Sequence, residues 1–150
     1  MTATVFESQL VRSPLREGLT ARLREAHTDE PFSSVDPRAT VRRVATIVGA
    51  LALDTTVYRG GVDLRGSEVD HVWLAVRYPE TVRTFVVDAA FPLFSASFVE
   101  VLRRFVAGDA PPEALEEVAA DSDLDDRVIG AFPEPVRYLG RPVWTSRERR

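Results

Sequence analysis

The residues with the most chemical potential stand in two apolar runs, His71 inside "EVDHVWLAVRY" and Asp88 near the end of "TVRTFVVDAA". An imidazole takes and returns a proton near neutral pH, and a carboxylate against it fixes its tautomer and favours its charged form. Together they are two parts of a general base that a hydroxyl, a thiol or water would complete. Strand alternation puts His71 on one face with Val69, Trp73 and Ala75, so the imidazole belongs among apolar neighbours. The same residues support a purely architectural reading: His71 as a satisfied core or edge histidine, and Asp88 as a strand-end residue bonding turn amides.

The elements that must hold this pair follow from hydrophobic spacing. Ser13-Pro14 opens a helix over about 14–27, with Leu15, Leu19, Leu23 and Ala26 at helical intervals. "DEPFSSVDP" reads as a loop, and Asp36-Pro37 then starts a second helix whose Val41, Val44, Ala45, Val48 and Ala52 trace one face. Past Arg43 that helix is apolar all round, which predicts the central buried helix of the domain. Segments 55–62, 68–78 and 81–90 are rich in Val, Thr and aromatics and read as strands, the last two paired across "RYPET" as an antiparallel hairpin. Phe98, Val101, Leu102 and Phe105 mark a third helix, capped by Ser95 or Ser97 and ended by Gly108, and a fourth covers about 112–120. "VIGAF" and "VRYLGRPVW" add one or two late strands. The result is one α+β domain over 1–150, with helices packed on a small antiparallel sheet. An N-terminal helix and loop occupy 1–35, and C-terminal helices and a strand occupy 93–150.

Composition removes several function classes. The 150-residue chain carries a net charge of −4, with 45% hydrophobic and 28% charged residues, which describes a folded globular domain without a concentrated positive field; no nucleic-acid partner is expected. All its basic residues other than the histidines are arginine and asparagine is absent, as in the coding bias of a GC-rich bacterial genome. Without cysteine there is no disulfide, thiolate metal site or cysteine nucleophile. The longest apolar run, "IVGALAL" at 47–53, is too short to span a bilayer, and "MTATVFESQL" has no signal-like pattern, so a cytoplasmic location is expected.

A buried helix, a strand, a strand carrying "HVWL" and a strand ending "FVVDAAFP" resemble, over about residues 36–92, the core of the transglutaminase-like superfamily within the papain-like group of folds. That family has a catalytic cysteine at the start of the buried helix, a histidine in an H-x-W setting and an aspartate ending the following strand. The resemblance therefore implies catalytic positions at His71 and Asp88, with Trp73 beside them. The cysteine would fall among Arg38, Ala39 and Thr40, and Ala39 is the matching position counted back from the helix end. Alanine does no chemistry. The resemblance thus implies a non-catalytic member, a pseudoenzyme without cofactor, binding a peptide, protein or small molecule near His71, Asp88, Trp73 and Ala39. One alternative is a hydrolase or acyl transferase in which Thr40, Ser34 or water attacks with His71 as base. Another is an interaction protein, such as a homodimer, joined through exposed Phe132, Tyr138 and Trp144.

Other motifs carry less. Asp121, Asp123 and Asp125 have the odd spacing of a calcium loop without its glycine or closing glutamate, and read as a solvated acidic loop. "YRGGVDLRG" lacks a phosphate-loop ending and reads as a strand bend or bulge with a turn. His27, at a helix end, suits a capping role, and two such distant histidines predict no metal site.

Overall fold

A computed structural model gives the structure of the chain and describes residues 4–6, 14–51, 53–64, 66–77, 84–93, 95–121 and 137–146. In chain order the elements are β1 (Thr4–Phe6), α1 (Pro14–Asp29), α2 (Pro37–Ala50), β2 (Asp54–Leu64), β3 (Ser67–Arg77), β4 (Thr84–Val87), α3 (Ala96–Val106), α4 (Pro112–Ala120) and β5 (Arg137–Thr145). The strands form one antiparallel sheet in the order β1-β5-β2-β3-β4. The fold is α+β with helices packed on a small antiparallel sheet. The short β1 carries too little pattern to be seen in the sequence. "VIGAF", the "RYPET" connection and Phe132 lie outside the described residues.

Alternation along β3 organises the core. Val69, Trp73 and Ala75 pack with Phe98 and Leu102 of α3 and Leu115 and Ala119 of α4. Leu74 and Val76 pack with Leu19 and Leu23 of α1 and Val41, Val44 and Val48 of α2. The sheet thus lies between two helix pairs, and β3 is buried on both faces.

Two caps behave as their residue types demand: Asp36 Oδ1 accepts from Ala39 N at 3.2 Å and Ser95 Oγ from Phe98 N at 3.3 Å, each bonding an amide the helix leaves unpaired. Two expectations change. α2 is not wrapped on all sides, for Thr46, Gly49 and Ala50 are exposed and only Thr40, Val41, Val44 and Val48 are buried. Its apolar run owes much to Ala and Gly, which bury little area and do not require cover. The register irregularity in β2 falls between Val57 and Tyr58, not at the Gly60-Gly61 pair, which stays in ladder on both sides.

Candidate functional site

Register explains how His71 and Asp88 meet. Val87, the last residue of β4, pairs with Leu74, so the next position along faces Trp73 and has His71 as its diagonal neighbour on the same face. Asp88 leaves the ladder there, and its Oδ2 lies 2.7 Å from His71 Nε2. A carboxylate only accepts, so Nε2 carries the hydrogen and donates it.

Asp88 is held by four donors. Oδ2 also accepts from the Tyr138 hydroxyl at 2.7 Å, and Oδ1 accepts from Ala90 N at 3.1 Å and Phe91 N at 3.2 Å. The two amides are the Asx-type turn bonds expected of an aspartate at a strand end. Tyr138 comes from β5, separated from β4 by β2 and β3, so this bond spans the face of the sheet. Burial above all, then the charge of Asp88 and the hydrogen bond to it, push the Tyr138 hydroxyl well above its ordinary value of 10.0.

The imidazole is enclosed by rings. Phe91 stacks on it with centroids 3.7 Å apart and planes within 2°, and Trp73 and Tyr138 lie at 6.0 and 6.2 Å. The His71 side chain is 0% exposed, and its Nδ1 has no hydrogen-bond partner among the described residues. The Trp73 and Tyr138 ring centroids are 5.0 Å apart; one glycine makes room for the Trp73 ring and a second lets β2 and β5 approach. Gly60 pairs with both His71 and Gly140, and a Cβ on Gly140 would stand 2.5 Å from the Trp73 ring. A Cβ on Gly60 would run into Leu139 O and Gly140 Cα.

The other predicted residues are placed as follows. Ser34 is buried and its hydroxyl donates to Ala90 O at 2.6 Å, tying the loop before α2 to the turn after Asp88. Thr40 is buried and donates to Ser33 O at 2.8 Å. Neither hydroxyl is bonded to His71. Trp73 is fully buried in the core. A cleft of about 580 Å³ beside His71 is lined by Asp36, Pro37 and Arg38 at the start of α2 and by Arg59 and Asp70 on the strands; neither Ala39 nor Trp73 is among its lining residues. Tyr138, expected on an exposed interface, is instead 2% exposed, because strand period gives it the face of Gly140 and the core. Trp144 is half-buried.

Two participants were missed in the sequence. Tyr138 is one, and Glu116 of α4 is the other: its Oε1 accepts from Ser33 Oγ at 3.0 Å, Ser34 N at 2.8 Å and Val35 N at 2.7 Å, fixing the loop that leads to the cleft. Nothing local in "PEALEEVAA" distinguishes Glu116 from its neighbour Glu117 except helical phase, which sets it one residue from the buried Leu115. His27 accepts from Phe32 N at 3.0 Å just past the end of α1, a bond made by the unprotonated ring nitrogen and not by a charge facing the helix dipole. No group of three metal-ligating side chains occurs among the described residues, and Asp123 and Asp125 lie outside them. No described helix is long and apolar enough to cross a membrane.

No family model, curated protein or solved structure matches the chain.

Proposed function

We propose that the chain is a non-catalytic, transglutaminase-like domain that binds a peptide or small ligand in the cleft beside His71. The order α2, β2, β3 with His71, β4 ending at Asp88 supports the family reading, as does the His71–Asp88 hydrogen bond. The missing thiol supports the loss of its chemistry, since cysteine is absent throughout.

The observation that carries the reading is the state of the imidazole. Its Nε2 is committed to Asp88, its ring is clamped by Phe91, and its Nδ1 is buried without a partner among the described residues, in a residue that lines the cleft. An unpaired buried nitrogen is costly, about 1–3 kcal/mol, and with the side chain 0% exposed a ligand in the cleft pairs with it only by displacing the groups that cover the ring. The alternative, hydrolysis with His71 as base, draws on the same pair. Against it stand the hydroxyls of Ser34 and Thr40, both already donating elsewhere, and the exclusion of the ring from solvent.

Hydrolysis of p-nitrophenyl acetate by the wild type and by His71→Gln tests the choice. Equal rates are expected; a wild-type rate higher by about 10²-fold or more, the low end of what a positioned base contributes, would establish the hydrolytic alternative. A thermal-shift screen of short peptides and small polar molecules provides the positive arm. At least one compound is expected to raise the Tm of the wild type and to leave that of His71→Gln unchanged.

A further inference from the structure

A second groove, of about 680 Å³, adjoins the His71 cleft and shares Arg38, Arg59 and Val72 with it. It exists because α2 packs chiefly on β3 and less on β2, and no described helix packs substantially on β5. Its apolar lining is Val41 and Ala45 of α2, Val57 and Val72 of the central strands, and Val143 and Trp144 of β5. Val143, 58% exposed, stands at the rim of this apolar lining.

The charges lining this groove have one sign. Arg38, Arg42 and Arg59 line it, and no carboxylate among the described residues does. All three are exposed, and none makes an ion pair or a side-chain hydrogen bond among the described residues. On a chain of net charge −4, three guanidinium groups unpaired among the described residues, beside an apolar surface, are a local concentration of positive charge. A guanidinium presents a planar fork that matches a carboxylate bidentately.

We propose that this groove binds a small amphipathic carboxylate, its acyl or aryl body on the valines and Trp144 and its head group on the arginines. The volume is that of a small-molecule site. A peptide adding as a strand is disfavoured, because β2 at the centre of the groove is already hydrogen-bonded to β3 and β5 on its two sides. This site does not depend on His71, so it stands apart from the reading above.

Titration of the full chain with decanoate, decanol and decyltrimethylammonium, followed by the Trp144 indole signal in 1H–15N spectra, tests the proposal. Decanoate is expected to bind roughly tenfold more tightly than decanol, and the cation more weakly than either. Arg42→Gln, at an exposed position outside the His71 cleft, is expected to weaken decanoate roughly three- to tenfold with little effect on decanol. Val143→Asp, which adds a carboxylate to the rim, is expected to weaken decanoate further, and His71→Gln is expected to leave its binding unchanged. Equal affinity for the three probes, no saturable binding, or an Arg42→Gln variant that binds decanoate as the wild type does would overturn the proposal. So would a concentration-dependent dimer that Val143→Asp dissociates and decanoate leaves intact, which would assign this face to a second copy of the chain.

Discussion

Replacing Tyr138 by phenylalanine removes one oxygen from the centre of the buried network and leaves the ring that packs on Trp73. The lost bond is a 2.7 Å contact between a buried hydroxyl and a carboxylate. Hydrogen bonds to charged groups contribute about 1.5–3 kcal/mol, and since Asp88 keeps His71 Nε2 and two backbone amides, the lower part of that range, about 1.5–2 kcal/mol, is expected. For a domain of this size that lowers Tm by roughly 3–8 °C.

The pH dependence is an independent readout with a definite sign. The hydroxyl's pKa is raised in the folded chain, so its contribution is complete below the unfolded value near 10 and is lost as pH rises through the folded value. Urea unfolding at pH 8 should therefore separate the wild type from Tyr138→Phe by the full amount, and the gap should narrow in strong alkali. Absorbance at 295 nm should show one of the three tyrosines resisting ionisation until the chain unfolds. A variant within about 0.5 kcal/mol of the wild type at pH 8, the ordinary scatter of a surface substitution, would refute the argument, as would three tyrosines titrating together in the folded protein.

Asp88→Asn keeps the shape but sets an NH2 group against donors on one side or the other, and is expected to cost about 2–4 kcal/mol by urea denaturation. Gly140→Ala places a methyl group against the Trp73 indole and is expected to destabilise by about 1–3 kcal/mol through overpacking, with a change in near-ultraviolet circular dichroism. Glu116→Ala removes the acceptor of the Ser34 amide and one of the two acceptors of the Val35 amide, the other being Ser33 Oγ, and is expected to cost about 1–2 kcal/mol and to speed hydrogen exchange most at Ser34, while exchange in the β2–β3 ladder is unchanged.

The pairing of His71 with Asp88 was legible because both ends of it are local: a polar residue in an apolar strand signals a partner, and an aspartate closing the next antiparallel strand is the nearest one able to reach. The helix starts at Asp36 and Ser95 were legible for the same reason, since a cap is a matter of three or four residues. Tyr138 was not, because its role depends on β5 inserting beside β2, with Gly140 against Gly60 far away along the chain, and that pairing has no signature near the tyrosine. Glu116 was hidden likewise, its amide partners lying 82 and 81 residues away along the chain. α2 misled through composition, since alanine and glycine count as apolar in a pattern yet tolerate water.

The state of the His71 ring tests the central claim most directly, and the chain has only two histidines, so long-range 1H–15N spectra identify it by its loss in His71→Gln. The account predicts a ring that carries a hydrogen on Nε2 and donates it to Asp88, unchanged on addition of p-nitrophenyl acetate and shifted by a compound that binds the cleft. An Nε2 without that hydrogen, or a ring nitrogen that becomes acylated by the ester, would contradict it.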